Sequence, residues 1–520
     1  MVVEYGVIRK KLKPGMLRIA IAYPSLYRVA VASLSFHILY YLLNSYEHVY
    51  AERFVLQKLR GEEPLPRSIE TGTPLSKFHV ILFTVHYEND YVNIVRMLMA
   101  SKINPFREKR DHNDPLIVIG GPTVTANPEP LADIADVLAI GESEKIIPRL
   151  LDALQLESKN QILDFLGNPG FYIPSRGKEE VHKVFVKNLD EAYHPIIQFK
   201  SPEVDHAFGH AYMIEVDRGC YWSCAFCMGS HIYRPYRIRS TERIIKYMMK
   251  GIELNKSHKV VFIATSFFNH PGSKKLLEKA IELNIEASAP SIRIETLNRE
   301  NLELLASIGQ KTLTIAPEVA SFRLGVIIGK PYNKEKIIEV VKLASKVGFK
   351  NVKMYFMIGF PGERIEEVKA IADLIMNVYR EVGKKILIEV SINPLVPKPQ
   401  TPLQWAPFED VDRLREKIVI IKRNLHHRIK FSFLDPREAF VQATIGLGNR
   451  RISKALALWS IYGAGLGAWN KAIKESNIDL SYIKKGRNID QELPWSHIRS
   501  GPPLEFLRKR WGTILSMLTK

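Results

Sequence analysis

The chain has 520 residues, 46% of them hydrophobic, a formal net charge of +19 and only three Cys. At about 100–200 residues per domain, this length predicts about three domains with cores of their own and excludes a disordered or collagen-like chain. The longest nearly uncharged apolar stretch, Val29–Leu43, has fifteen residues, short of the roughly 18–20 that cross a bilayer, so no transmembrane helix is expected.

The first residues, MVVEYGVIRKKLKPG, carry Glu4 early and have no apolar core before their basic cluster. That is unlike a secretory signal and points to a cytoplasmic protein. Residues 17–23, 79–85, 116–119 and 136–140 are short apolar runs, separated by amphipathic stretches such as Asp90–Ala100. This alternation predicts a doubly wound, Rossmann-like α/β domain over residues 1–155. Gly120, Gly121 and Gly141 directly follow strands, where glycine lets a ligand approach the backbone or makes a tight turn. Residues 156–200 lose periodicity and collect turn formers, as in a linker or small excursion.

A second βα series fills residues 201–410. Strands are expected at Ala211–Val216, Lys259–Ala264 and Asn351–Ile358. Helices are expected at Thr241–Leu254, Ser273–Leu283 and Glu363–Val382, with another capped by Asn333 and ending near Gly348. Such repetition suggests a full or partial (β/α) TIM-type barrel with its chemistry at the strand C-termini. Residues 411–520 read as mainly helical and basic, with 21 Lys and Arg against 9 Asp and Glu and four Trp. That net of +12 suits a solvated surface or an anionic partner.

All three Cys fall in Val216-Asp-Arg-Gly-Cys220-Tyr-Trp-Ser-Cys224-Ala-Phe-Cys227, just after a predicted strand. Too few for a disulfide framework, clustered Cys in a reducing compartment ligate metal or do chemistry. Three thiolates from one loop suit three irons of a 4Fe-4S cluster, leaving the fourth iron open. The rival is a Cys3His zinc site completed by His231, which would make the protein a zinc-stabilised nucleic-acid binder.

The Cys220-x3-Cys224-x2-Cys227 spacing, with Phe226 before the last Cys, resembles the radical S-adenosylmethionine (SAM) superfamily. The resemblance implies a 4Fe-4S cluster whose open iron binds SAM, generation of a 5′-deoxyadenosyl radical, and an electron donor such as a ferredoxin. It places Phe226 by the adenine or cluster. Thr314-Ile-Ala-Pro-Glu318-Val-Ala-Ser321-Phe-Arg323 resembles the fourth-strand region, where Glu318 or Ser321 would meet the ribose and Arg323 the SAM carboxylate. The second strand departs from the family: it ends Ala264-Thr265-Ser266 where Gly-Gly-Glu is common, leaving Thr265 and Ser266 as candidates for the SAM amino group. Residues 17–150 resemble the cobalamin-binding-type domain that precedes many such barrels, through Gly120-Gly121-Pro-Thr and Ile-Gly141-Glu. The Asp-x-His-x-x-Gly signature of a lower cobalt ligand is absent, so cobalamin is a candidate cofactor and not a required one.

With one Cys cluster and no further Cys, the auxiliary clusters of methylthiotransferases are excluded. Two substrate classes remain. The chain is similar to archaeal radical SAM proteins of lipid biosynthesis that close cyclopentane rings in tetraether (GDGT) membrane lipids, and its basic, Trp-bearing end would dock an anionic membrane face. The alternative is a cobalamin-dependent radical methyltransferase, or another modification enzyme, acting on RNA or protein.

Overall fold

The structure is a computed structural model that describes residues 3–204 and 207–518. In its N-terminal part, β1 (Leu17–Leu26), β2 (Val49–Leu56), β3 (Val80–Thr84), β4 (Leu116–Gly120), β5 (Val137–Ala139) and β6 (Phe171–Tyr172) form one sheet ordered β2-β1-β3-β4-β5-β6. The first five strands are parallel and β6 runs antiparallel to β5. Every residue of β3 is buried, as a parallel strand covered on both faces requires. Helices Leu34–Asn44 and Ser143–Ala153 cover the face bearing Ile19, Ile21, Leu82 and Val118. Winding reverses between β1 and β3, so their C-terminal ends open a crevice.

The chain continues through β7 (Val181–His182), β8 (Tyr212–Glu215), β9 (Asp217–Arg218), β10 (Arg237–Ile238), β11 (Lys259–Ile263), β12 (Glu286–Ser288), β13 (Thr312–Glu318), β14 (Asn351–Ile358), β15 (Leu387–Pro394), β16 (Lys430–Phe433) and β17 (Ile498–Arg499). Two parallel sheets, β12-β11-β8 and β13-β14-β15-β16, make the wall of a partial barrel. Along β14, Val352, Met354, Phe356 and Ile358 are fully buried while their neighbours are only half-buried. That period of two sends one set under the outer helices and leaves Lys353, Tyr355 and Met357 for the barrel interior. The α/β architecture expected from the sequence is therefore the one observed.

The boundaries differ in two places. Residues 156–200 are no free linker, since they carry helix Lys159–Phe165 and the strands β6 and β7. Residues 411–520 are no separate unit either. Their β16 extends the barrel sheet, β17 pairs with β7, and helices Pro436–Gly446, Ile452–Ile461 and Leu466–Glu475 pack on the N-terminal sheet. Trp459 and Trp469 join the core beside Ile81 and Ile117, while Trp495 and Trp511 join the barrel core. None of the four exceeds 5% exposure, so the expected Trp-mediated contact with a membrane face is corrected: these rings stabilise the fold by apolar burial. Among the described residues, no helix is long and apolar enough to cross a membrane.

Candidate active site

The three Cys lie on the loop that leaves the first barrel strand through β8 and β9. Gly219 starts it at φ +91°, and a Cβ there would come within 2.7 Å of the Tyr233 and Pro235 carbonyl oxygens. Only glycine lets the loop press so close to the segment before β10. The Ala225 amide donates to the Ile328 carbonyl at 2.8 Å, and Cys227 precedes helix Met228–Ile232. The thiols are within electrostatic reach of one another, and burial pushes all three up from their ordinary range. Cations oppose this at Cys224: Arg293 Nη1 lies 3.7 Å from its Sγ, and Lys330 acts on it as well. Three buried thiols from one loop, one of them beside two cations, suit an iron–sulfur cluster, which they would ligate as thiolates.

The zinc alternative is not assembled. His231 Nε2 lies 3.2 Å from the Cys224 carbonyl oxygen, so the imidazole serves the backbone of the loop. Among the described residues, no three His, Cys, Asp or Glu side chains converge on a single ion position.

A buried ion network anchors the start of the loop. Arg218 pairs with Glu142 at 2.7 Å, Glu144 at 2.9 Å and Glu215 at 2.9 Å. Arg237 adds a second bond to Glu142, and Arg239 to Glu215. Glu142 and Glu144 follow β5 of the N-terminal sheet, so the network ties that sheet to the barrel. Next to it, Asp217 Oδ1 accepts the Thr265 amide at 2.8 Å and lies 3.0 Å from its hydroxyl. Asp217 Oδ2 is buried without a partner, as are the Ser266 and Tyr236 hydroxyls. Burial holds the Asp217 carboxyl up at about 6.

Between the two parts lies a cavity of about 690 Å³. Tyr23, Ser35, His86, Gly120, Gly121 and Gly141 line it from the C-terminal edge of the N-terminal sheet, and Glu215, Asp217, Gly219 and Thr265 from the barrel mouth. Leu34, Ile38, Ile146 and Ile147 add an apolar wall. Burial depresses the His86 imidazole to about 4, so it is neutral at pH 7.

The structure thus brings several predicted residues together. Gly120, Gly121 and Gly141 all line the cavity, although packing already explains two of them. A Cβ on Gly121 would stand 2.1 Å from the Val85 carbonyl oxygen, and one on Gly141 2.2 Å from that of Val184. Thr265 sits beside the Cys220 thiol, and Ser266 follows it. Phe226 is half-buried against the barrel core. Glu318 reaches the Cys227 side of the loop and pairs with Lys330 at 2.9 Å. Ser321 and Arg323 go elsewhere. Ser321 caps helix Phe322–Ile328 and donates to Glu367, whose other oxygen pairs with Arg323 at 2.7 Å. Arg323 also donates to the Gly362 carbonyl, so the cations beside Cys224 are Arg293 and Lys330. Sequence reading missed Asp217, Arg293 and Lys330; the signal for Arg293 was its place just past a strand of the barrel.

Comparison with known proteins agrees with this geometry. The family model of the radical SAM superfamily matches residues 214–375, and that of the N-terminal part of radical SAM proteins matches residues 35–174. An uncharacterised protein of Methanocaldococcus jannaschii is 30% identical over 440 residues, covering 84% of this chain and 90% of its own. The ribosomal protein uS12 methylthiotransferase RimO of Desulfotalea psychrophila is 23% identical over 319 residues, 57% of this chain and 69% of its own. Among solved structures, the radical S-adenosylmethionine methyltransferase TsrM of Kitasatospora setae, with cobalamin and a 4Fe-4S cluster bound, superposes at a TM-score of 0.55. It is 13% identical, and the match covers 89% of this chain and 99% of that one. The matched barrel puts its three thiols at the exit of its first strand, and with the matched N-terminal region this makes the chain an enzyme of the radical SAM superfamily, with a 4Fe-4S cluster and S-adenosylmethionine as its cofactors.

Proposed function

We propose that the protein is a cobalamin-dependent radical SAM enzyme that forms a carbon–carbon bond at an unactivated carbon, by methyl transfer. The cavity at the topological switch point of the N-terminal sheet carries this reading, because its far wall is the barrel mouth, including Gly219 at the start of the thiol loop. Gly120, Gly121 and Gly141 present bare backbone to it, and Leu34, Ile38, Ile146 and Ile147 offer an apolar surface suited to one face of a corrinoid ring. Cys220, Cys224 and Cys227 would hold the cluster, and Arg293 and Lys330 would meet the SAM carboxylate. When bound, these cofactors supply hydrogen abstraction and a carrier for the alkyl group, chemistry that no acid or base in the protein provides at pH 7. The chain's own residues orient and shield. The Arg218 network fixes the two cavity walls, and the apolar wall excludes water. A ferredoxin-type protein is the proposed electron donor.

Cyclopentane ring closure in tetraether lipids is a second reading, favoured by the same apolar wall, which suits an isoprenoid chain. In either case the exposed cations of residues 411–520 would meet an anionic substrate carrier, a lipid headgroup or RNA. Anaerobic reconstitution with iron, sulfide and hydroxocobalamin tests the proposal. Cobalt should stay with the protein through gel filtration, and iron-loaded protein that retains no cobalt overturns the cobalamin reading. Turnover with lipid or RNA extracts then separates the reactions. Methyl transfer yields S-adenosylhomocysteine together with 5′-deoxyadenosine, whereas ring closure yields 5′-deoxyadenosine alone. Deletion of the gene with unchanged ring number in the membrane lipids sinks the lipid reading.

A further inference from the structure

The second barrel strand, β11, ends at Ile263 and runs on through Ala264-Thr265-Ser266 without a carboxylate. The segment just past the first barrel strand supplies one. Asp217 is 4% exposed and lines the cavity one residue ahead of Arg218. Its Oδ1 is fixed by the Thr265 amide, which locks the carboxylate against the end of β11. Its Oδ2 makes no hydrogen bond of ordinary geometry, although the Ser266 amide lies close enough to favour the charged carboxylate. Two further buried hydroxyls without a partner belong to residues near it: Tyr236, within electrostatic reach of Asp217, and Ser266, 2% exposed, whose amide lies by the same carboxylate. Asp217 and Tyr236 are both within electrostatic reach of Cys220. Buried polar groups left unpaired cost stability, and three of them beside one thiol loop call for a ligand that satisfies them.

The other carboxylates of the cavity wall are already taken. Glu142 is held by Arg218 and Arg237, Glu144 by Arg218, and Glu215 by Arg218 and Arg239. Asp217 alone among these four has a free oxygen and no cationic partner. A ligand that fills this place must therefore donate hydrogen bonds and suit a negative charge. SAM offers two groups that donate without accepting, the adenine N6 amine and the amino group of its methionine part, and of these only the latter is basic enough to take the positive charge that suits a carboxylate.

We propose that Asp217 is the acceptor for the amino group of S-adenosylmethionine, taking over in this chain the place of the missing second-strand carboxylate, with the Ser266 and Tyr236 hydroxyls completing the site. Thr265 is a positioning residue that holds Asp217. The inference rests on the superfamily assignment and is independent of cobalamin.

The test uses the full chain loaded with its cluster. Binding of SAM and of its deaminated analogue, in which hydrogen replaces the amino group, is measured by equilibrium dialysis and by the change each causes in the electron paramagnetic resonance spectrum of the reduced cluster. Wild-type protein should hold SAM more tightly than the analogue. Asp217→Asn and Asp217→Ala should weaken SAM by about ten- to a hundred-fold, the range of a buried charge-assisted hydrogen bond, and leave the analogue unchanged. Iron content and the spectrum without SAM should match wild type. The proposal is overturned if the variants bind SAM within about two-fold of wild type, or if SAM and the analogue weaken by the same factor. Should either variant fail to hold its cluster, Ser266→Ala and Tyr236→Phe leave the Asp217–Thr265 contact intact. Each should weaken SAM by a few-fold and spare the analogue, and no effect of either on SAM overturns the proposal.

Discussion

Replacing Arg218 by Met is the sharpest test of how the thiol loop is anchored. The guanidinium makes three charge-assisted contacts at 2.7–2.9 Å, with its own side chain 12% exposed and those of Glu142, Glu144 and Glu215 at 8%, 9% and 11%. After the change, Glu142 keeps Arg237 and Glu215 keeps Arg239, but Glu144 is left only with the Ser143 hydroxyl. Removing one partner from a buried ion pair costs about 3–5 kcal/mol, chiefly because the remaining charge stays buried. At about 2–4 °C per kcal/mol for a domain of this size, Tm should fall by about 6–20 °C. Cluster content should fall too, because Arg218 stands two residues before Cys220. Thermal unfolding followed by circular dichroism, with iron measured per chain, reads both effects. In the double variant Arg218→Met/Glu144→Gln the stranded charge is gone, and about half of the lost stability should return. The reasoning fails if Arg218→Met stays within about 1 kcal/mol of wild type, as for solvent-screened pairs. It fails equally if the two substitutions act additively.

Three further outcomes are expected. Gly121→Ala puts a Cβ 2.1 Å from the Val85 carbonyl oxygen at φ +125°, so it should cost about 2–6 kcal/mol in chemical denaturation from strain plus overpacking; a neutral result would remove the close-approach account of this turn. Cys224→Ala should take iron from about four per chain to almost none while far-UV circular dichroism stays native, since β8 and β11 are built without the thiols; loss of the fold would instead indicate a structural metal. Lowering the pH from 7 to 5.5 should lower the urea midpoint: burial depresses His194 to about 3 and His497 to about 4, so the unfolded chain takes up both protons below about pH 6.5 and the native one does not. Their stabilisation is complete above pH 6.5 and is lost as pH falls. His86 and His231, both depressed by burial to about 4, act with them, while Asp217, raised to about 6, and Asp90, raised to about 7, oppose them with about one proton each, so the unfolded chain still binds more protons and stability falls toward pH 5.5. A higher midpoint at pH 5.5 would contradict this.

Elements that obey one local rule were legible in the sequence. Helix Thr241–Leu254 and strand Asn351–Ile358 fall on their expected bounds, and Asn333 caps its helix through the Lys336 amide. β2 was not legible, because its sequence, Val-Tyr-Ala-Glu52-Arg53-Phe-Val-Leu, puts two charges in mid-strand. Both are buried, and the Arg53 guanidinium is satisfied by Glu4 and Glu70, distant in sequence, and by the Phe199 ring. Local pattern cannot show partners that only the fold brings together. The site divides in the same way. The Cys loop is a contiguous motif and could be read, as could the strand-end glycines. Arg323 could not be told from Arg293 by spacing: each pairs with a glutamate, Glu367 and Glu295, but only Arg293 also reaches the Cys224 thiol and lies over the Trp222 ring, 4.0 Å away.

The positive charge acquires a location through the same contacts. Part of what residues 411–520 carry is spent inside the fold: Lys417 lies between Glu363 and Glu409, and Arg487 stacks on Tyr482. The apolar half of the segment covers one face of the N-terminal sheet and, through β16, extends the barrel sheet. It also stitches the two parts together. The Asn127 amide donates to the Gly446 and Gly448 carbonyls at 2.9 Å, while Glu88 takes both Lys398 and Gln442. A chain end that merely attracted an anionic substrate could be removed without harm to the catalytic core. This one cannot: its loss would take away part of the apolar cluster that holds Ile81 and Ile117 and the hydrogen bonds that tie Asn127 and Glu88 to the segment. The segment therefore acts first on the geometry of the cavity, and the proposed meeting of its exposed Lys and Arg with an anionic substrate carrier would come second to that structural role.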